Sequence, residues 1–334
     1  MTNSYLITGG TGSFGKAFLK NIIKSRIKIS RLVIFSRDEF KQSQLQSEYP
    51  KNKYPFLRFF LGDIRDYNRV LDATRGIQNI IHAAALKQVP AAEYNPFEAI
   101  KTNIIGAQNL INASVENNVK KVLALSTDKA CAPINLYGAT KLCSDKLFVS
   151  ANNIIGKRDI KFSVVRYGNV FGSRGSVYNI FNNYLNKGYF PITDKKMTRF
   201  NITLNEATSM VLKVLKISVG GEIFVPKLKS YKVIDLARVM NKKNKLKIIG
   251  VRPGEKIHEQ MISSSDSYNT VEFGNFYSIL PQGNKKLVKK FLSRNKGRKV
   301  IENFEYSSDK NGKFLNSNEL MQLIKRHEKK KIII

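Results

Sequence analysis

Two short stretches near the middle of the chain carry residue types that can move protons. Tyr137 precedes Lys141 by four positions, so on a helix both side chains stack on one face. An ammonium beside a phenol favours the phenolate, which equips Tyr137, its pKa lowered by Lys141, as an acid/base group toward a carbinol. Just upstream stands Ser126-Thr127-Asp128-Lys129, with a carboxyl and an amine side by side. Such a pair suits an elimination, in which one group removes the proton next to a transient ketone and the other protonates a departing hydroxyl. Lysine is a competent base only where burial or neighbouring cations keep it neutral. The plainer alternative is that Asp128 and Lys129 form a surface ion pair or cap a loop. Tyr-x-x-x-Lys alone is a weak signal; the elements around it give it weight.

Residues 5–8, 32–35, 57–61, 79–82 and 122–126 are short apolar runs that predict buried strands, and 14–25, 40–47, 67–74 and 96–117 between them have helical periodicity. Repeated β-α units of this kind predict an α/β fold with a Rossmann-type, doubly wound parallel sheet. Residues 162–166 read as a sixth strand and 222–225 as a seventh. After Gly168 the pattern loosens, with a glycine-rich turn at Gly172-Ser173-Arg174-Gly175 and helices near 204–216 and 233–240. The expected division is a dinucleotide-binding domain over 1–168, to which a segment near 204–226 returns. Residues 169–203 and 227–334 then form a smaller, mixed C-terminal substrate domain with a basic tail. Residues 283–298 read as exposed helix and loop, and 329–334 as a fraying end.

The first β-α turn is Thr8-Gly9-Gly10-Thr11-Gly12-Ser13-Phe14-Gly15. Glycines let the backbone approach a pyrophosphate, and the helix that follows offers free N–H groups and the positive end of its dipole. The second strand ends in Ser36-Arg37-Asp38, with Lys41 one turn later. Ser36, Arg37 and Lys41 favour a 2′-phosphate and hence NADP, while Asp38 keeps NAD open. Asp63, in Gly62-Asp63-Ile64 after the third strand, either accepts from the adenine amino group or caps a helix.

The 334-residue chain carries 57 Lys and Arg against 25 Asp and Glu, a formal net charge of +32. The lysines are scattered singly or in pairs until the tail, which describes a solvated surface that attracts an anionic ligand rather than a nucleic-acid site. No apolar run approaches the ~20 residues that cross a bilayer, and the start of the chain lacks the pattern of a signal peptide. Two cysteines fit a reducing cytoplasm. His82 ends a strand and reads as structural, and His258 and His327 show no metal partners, so no metal site is expected.

Taken together, the glycine turn, Ser36-Arg-Asp-Glu39, His82-Ala-Ala-Ala-Leu-Lys87, Ser126-Thr-Asp-Lys-Ala130, Leu136-Tyr-Gly-Ala-Thr-Lys-Leu142, Arg166-Tyr-Gly-Asn-Val170, Met197-Thr-Arg-Phe200 and Arg252-Pro-Gly-Glu-Lys256 resemble the inverting UDP-N-acetylglucosamine 4,6-dehydratases. These are extended short-chain dehydrogenase/reductases that open pseudaminic acid biosynthesis, often for flagellin glycosylation. The likeness runs from Tyr5 to at least Met261 and is especially close over 137–153. Relatives that retain configuration usually carry Glu where Lys129 stands. Cys131-Ala132 and Tyr178-Asn179-Ile180 depart from the group's pattern but leave the acid/base set intact.

The resemblance implies that Tyr137 deprotonates the C4 hydroxyl, Lys129 removes the C5 proton and Asp128 protonates the C6 hydroxyl, with inversion at C5. It implies that Thr11, Gly12, Ser13, Phe14, Ser36, Arg37, Lys41, Asp63, Ile64, Ala83, Lys87 and Val170 line NADP, Lys87 lying near substrate as well. Asn169, Thr193, Met197, Arg199, Arg252 and Glu255 would hold the UDP-sugar, with Arg suited to diphosphate and Glu to ribose hydroxyls. It also implies a homo-oligomer, with a hexamer as its form. An alternative is the related 4,6-dehydratase/5-epimerase of capsule or O-antigen synthesis, a group that often lacks a tyrosine at the position of Tyr137. A plain 4-epimerase would not need Asp128-Lys129.

Overall fold

The computed structural model describes residues 3–25, 27–173 and 175–332. Met1, Thr2, Arg26, Arg174 of the glycine-rich turn and residues 333–334 of the tail lie outside the described residues. The chain is built around a sheet of ten strands among the described residues: β1 (Asn3–Thr8), β2 (Ile29–Ser36), β3 (Leu57–Leu61), β4 (Asn79–His82), β5 (Lys121–Thr127), β6 (Lys161–Tyr167), β7 (Ile223–Pro226), β8 (Thr270–Phe273), β9 (Phe276–Ile279) and β10 (Arg298–Lys299). Their order is β10-β8-β9-β7-β6-β5-β4-β1-β2-β3, parallel from β7 to β3. The chain winds outward from β1 through β2 to β3, then crosses back to β4 and winds the other way. The crevice at that reversal, beyond the carboxyl ends of β1 and β4, is where such sheets bind ligands.

Alternation decides which face each strand residue serves. Tyr5, Ile7, Leu32 and Ile34 enter one apolar layer, and Leu6, Val33 and Phe35 the other. Strands buried on both faces read as unbroken apolar runs, which is why short hydrophobic segments located them. The first layer is closed by Phe18, Leu19 and Ile22 of the Ser13–Lys24 helix and by Val211 and Val214 of the Leu204–Ile217 helix. The second is closed by Val70, Leu110 and Phe148, from the Tyr67–Thr74, Gly106–Glu116 and Leu136–Ser150 helices. A third cluster, with Phe171, Phe181, Phe190, Tyr231, Leu236 and Leu320, underlies the more irregular part of the chain.

Three segments differ from expectation. Residues 270–299, expected wholly with the substrate-side segments, return to the main sheet: β9 runs antiparallel to β7, from Phe276 opposite Pro226 to Ile279 opposite Ile223. The run read as one helix over 96–117 is Pro96–Ile100 and Gly106–Glu116 joined by a π turn at Lys101–Ile105. The basic tail continues as a helix, Ser317–Ile332, past the point where fraying was expected.

Phe148 is fully buried between the Leu136–Ser150 helix and the sheet, whereas Phe40 is 72% exposed. Phe148→Ala is therefore expected to lower the unfolding free energy in urea by about 3–5 kcal/mol. Phe40→Ala should stay within about 0.5 kcal/mol of the parent.

Candidate active site

The dinucleotide turn leaves β1 at Thr8 and enters its helix through Gly12, whose missing side chain leaves the first-turn N–H groups uncapped from within. Gly9 adopts φ +66° and lies so near the loop after β4 that a Cβ would stand 2.9 Å from the Ala83 carbonyl oxygen. The Ala83 N–H in turn donates to the carbonyl and hydroxyl oxygens of Thr8. Thr11 and Gly15 are buried, with Ser13 and Phe14 beside them. A side-chain-free cradle with free N–H groups fits a dinucleotide pyrophosphate.

At the carboxyl end of β2 the polar groups are partly engaged already. Ser36 accepts from the Gln42 amide through both its carbonyl and its hydroxyl. Asp38 caps the Glu39–Glu48 helix by accepting from the Lys41 N–H, and its second oxygen pairs with the Lys41 ammonium. Asp63 accepts from the Arg65 backbone and guanidinium, the latter at 2.7 Å, and lies 3.5 Å from Arg37. Burial pushes the Asp63 carboxyl up, but hydrogen bonds from Arg65 and the charges of Arg65 and Arg37 outweigh it and hold it below its ordinary value. The Ile64 side chain is core, directly beneath Gly106. Lys87 is exposed.

Asp128 and Lys129 form a single helical turn at the end of β5. Asp128 is buried; its Oδ1 accepts from the Thr127 hydroxyl at 3.0 Å and from Lys129 Nζ at 3.2 Å. Its Oδ2 has no hydrogen-bond partner among the described residues and faces Gly168, where a Cβ would stand 3.2 Å away. Lys129 is 24% exposed and its Nζ also donates to Glu259 Oε1 at 2.8 Å. Burial pulls the Lys129 ammonium down, but the two carboxylates outweigh it and keep it charged. Burial and the charge of Glu259 raise Asp128 above its ordinary value. The expectation of a lysine kept neutral by burial or cations is thus corrected: anions surround it.

Tyr137 and Lys141 are both buried on the first turns of the Leu136–Ser150 helix. Burial pushes the Tyr137 phenol up to about 12, opposed by the charge of Lys129 and a hydrogen bond with Thr127. Lys129 is thus the foremost cation acting on Tyr137, beside the Lys141 that the four-residue spacing puts on the same helix. Burial lowers the Lys141 ammonium below its ordinary value. Helix and loop touch closely, since a Cβ at Gly138 would come within 2.3 Å of the Lys129 carbonyl oxygen.

The substrate-side residues divide into two groups. Asn169 presents a buried Oδ1 without a hydrogen-bond partner among the described residues. Arg252 and Glu255 grip each other through two hydrogen bonds of 2.9 and 3.0 Å, in a turn whose Gly254 carbonyl accepts from Asn135. Thr193 is buried nearby in sequence to the Thr198–Phe200 strand. Met197 and Val170, by contrast, are engaged with the fold itself. Met197 sits in the third apolar cluster with its N–H and carbonyl bonded to Asp194 and Val233, and Val170 bridges to Ile202. Arg199 is buried and turns inward, donating to the Thr198 and Ile257 carbonyls and lying 3.5 Å from Glu255 and 3.7 Å from Glu259.

Residues 5–281 match the family described as polysaccharide biosynthesis protein. The chain belongs to this family. It is 51% identical over 335 residues, 97% of either chain, to a UDP-N-acetylglucosamine 4,6-dehydratase (inverting) of Campylobacter jejuni. It is 40% identical over 326 residues, 96% of this chain and 94% of the other, to a UDP-glucose 4-epimerase of Rickettsia bellii. Among solved structures, Pen from Bacillus thuringiensis superposes with a TM-score of 0.86 at 37% identity, covering 97% of this chain and 98% of that one. The extended short-chain dehydrogenase/reductase fold and the likeness to the inverting dehydratases both stand on these matches.

In this polysaccharide biosynthesis protein the supporting residues escaped sequence reasoning. Asn135 caps the Leu136–Ser150 helix by accepting from the Gly138 N–H, a role its place before that helix signals. Asn103, in the π turn, exchanges hydrogen bonds with both backbone groups of Leu86 and donates to Thr140. Glu259 had no local signal, because it meets Lys129 only through the fold. Of the departures, Cys131 is buried with its thiol pushed up to about 11 by burial, and Tyr178 meets Phe171 at a tilt and His327 edge-on.

His82 lies beneath the site, its Nδ1 2.9 Å from the Thr8 hydroxyl. Burial and the charge of Lys141 hold its imidazole at about 3, far below the ordinary 6.5. Because the folded value is depressed, the unfolded chain binds the extra proton first, so stability is complete above the unfolded value and is lost as pH falls from about 6.5 toward 3. Between pH 7 and pH 5 the parent should lose about 2 kcal/mol more than His82→Gln in urea unfolding. Equal losses would show that the folded ring protonates freely.

Proposed function

We propose that this chain catalyses the NADP-dependent 4,6-dehydration of UDP-N-acetylglucosamine with inversion at C5. The product is UDP-2-acetamido-2,6-dideoxy-β-L-arabino-hex-4-ulose, and the reaction is the first step of pseudaminic acid synthesis, carried out in the cytoplasm by a homo-oligomer. The observation that carries this reading is the pairing of buried Asp128 with half-buried Lys129, whose charge acts on Tyr137. Oxidation and re-reduction at one carbon, as in an epimerase, need the tyrosine and a dinucleotide; loss of water needs a further base and a further acid.

The bare N-terminus at Gly12, the close approach at Gly9 and the residues Ser36, Arg37 and Lys41 support NADP; Asp38 is occupied in capping its helix, which disfavours a ribose 2′-hydroxyl partner. NADP, when bound, supplies a hydride acceptor for C4 and a hydride donor for C6. Tyr137 takes the C4 hydroxyl proton, a step assisted by the positive charge of Lys129. The ketone at C4 then acidifies C5–H. A shift of one proton from Lys129 Nζ to Asp128 Oδ1, across 3.2 Å, makes a neutral amine and a neutral carboxylic acid together. Those are the two forms an elimination requires, and burial of Asp128 favours its protonated form. Lys129 removes the C5 proton and Asp128 delivers its own to the departing C6 hydroxyl, which leaves as water. Saturation of the resulting C5–C6 double bond takes a hydride at C6 and a proton at C5, and delivery of that proton from the opposite face inverts C5. In this reading Asn169, Thr193, Arg252 and Glu255 hold the UDP-sugar, and Lys87 lies near both cofactor and substrate.

Incubation with UDP-N-acetylglucosamine in deuterated buffer, without added reductant, is expected to give a C6 methyl signal, deuterium at C5 and L-arabino couplings by proton NMR. Absence of the methyl would overturn dehydration in favour of the epimerase activity named for the Rickettsia relative. D-xylo couplings would keep dehydration and reject net inversion. Lys129→Met should slow C5 exchange by roughly a hundredfold to ten-thousandfold while NADP still binds; unchanged turnover would remove Lys129 from the role of base.

Arg37→Glu should weaken NADP binding by about 2 kcal/mol, roughly thirtyfold, with less effect on NAD. Calorimetric titration with both dinucleotides checks this, and an unaltered preference would place the 2′-phosphate elsewhere.

A further inference from the structure

Glu259 is a buried carboxylate, 1% exposed, whose side chain makes no hydrogen bond to any backbone group among the described residues. Its backbone is held independently: the N–H donates to the Ser308 hydroxyl and the carbonyl accepts from the Ser308 N–H. The next residues, Gln260–Ile262, form a short antiparallel ladder with Tyr306–Ser307. The carboxylate itself therefore has no part in fixing the chain. Its Oε1 lies 2.8 Å from Lys129 Nζ and 3.7 Å from Arg199 Nε, and its buried Oε2 has no hydrogen-bond partner among the described residues. A buried carboxylate costs several kcal/mol of desolvation unless its charge is matched. The matching charges here are the proposed base and one arginine.

The same carboxylate ends an alternating series of charges. Arg252 grips Glu255, Glu255 lies 3.5 Å from Arg199, Arg199 lies 3.7 Å from Glu259, and Glu259 holds Lys129, which holds Asp128. The segment proposed to take the nucleotide is in this way wired to the proton-moving pair. Building on the dehydratase reading above, we infer that Glu259 is a positioning residue: it fixes the Lys129 ammonium beside Asp128 and strengthens the amine as a base, without itself touching the sugar. Other charged or titratable groups facing this cluster are Tyr137 from the catalytic helix, Arg199 and Tyr231 from the Thr198–Phe200 and Ser230–Lys232 strands, and Glu255, Lys256 and His258 from the turn before Glu259. Among them only Glu259 joins Asp128 in donating negative charge within hydrogen-bond distance of Lys129 Nζ.

The test compares the parent with Glu259→Gln and Glu259→Asp as full chains. Glutamine keeps the shape and an acceptor while removing the charge. In Glu259→Gln, kcat should fall roughly 10- to 100-fold with KM for UDP-N-acetylglucosamine within about threefold. The limb of the kcat–pH profile on which Lys129 gives up its proton should move at least about one unit to lower pH. Glu259→Asp should recover much of both. A second readout needs no turnover: in lysine-labelled protein, the Lys129 side-chain resonance, assigned with Lys129→Met, should titrate at lower pH in Glu259→Gln than in the parent. A merely structural Glu259 would lower stability and leave both titrations where they were, which would overturn the inference. If the parent makes no methyl product but the Lys129 titration shifts, the dehydratase reading falls while the control of Lys129 by Glu259 stands. An unshifted titration in an active dehydratase removes the inference alone.

Discussion

An ammonium enclosed between two carboxylates is the constraint around which this molecule is organised. Lys129, Asp128 and Glu259 are drawn from two distant parts of the chain, and none of them would be tolerated in a dry site without the others. Removing water from them requires walls on every side. The Leu136–Ser150 helix supplies one wall, close enough that Gly138 has no room for a side chain. The Thr198–Phe200 strand supplies another and brings Arg199 with it. Gly168, just after β6, lets the backbone pass close to Phe200 and to Asp128, where a Cβ would stand 2.6 and 3.2 Å away. Beneath the site a second buried set, in which Asp145 accepts from Ser126 and Arg166, binds the catalytic helix to β5 and β6.

The dinucleotide crevice rests on the opposite requirement, the absence of side chains and of neutralising partners. At Gly9 and Gly12 the backbone is bare, and the helix entered at Gly12 has no side-chain cap on its first-turn N–H groups, an arrangement suited to an anion. The two halves meet at the carboxyl ends of β1, β4 and β5, where Thr8 is bonded to the loop after β4 and to His82. Chemistry at the reversal of strand order is a consequence of this geometry: only there do successive loops diverge far enough to admit a ligand.

The parallel half of the fold was legible because each strand is an apolar run and each turn after β1, β2 and β3 carries residues with special backbone or charge roles. Tyr137, Asp128 and Lys129 were legible because they lie close together in sequence at the end of such a strand. The charge state of Lys129 was legible only in part: Asp128, the stronger of the two carboxylates acting on it, adjoins it in sequence, whereas Glu259 is brought near only by tertiary structure. For the same reason the charge of Lys129 on Tyr137 could not be read from the spacing of Tyr137 and Lys141. The hairpin of β8 and β9 did leave a mark, with apolar residues around a Gly274-Asn275 turn, but after an irregular stretch its strands look like any short amphipathic segment. Met197 shows the limit of a motif: it marks a segment, while its own side chain serves the core.

Lys129 and Glu259 are 130 positions apart, and Tyr178 meets Glu328 across 150. During synthesis the parallel strands β1 to β6 can therefore pair while the partners that complete the sugar side have not yet been made. The lysine emerges long before the carboxylate that will hold it, and in the interval it faces water as an ordinary side chain. A nascent chain of this kind acquires its nucleotide crevice early and its reactive centre late, so that competence for chemistry arrives only with the final long-range contacts.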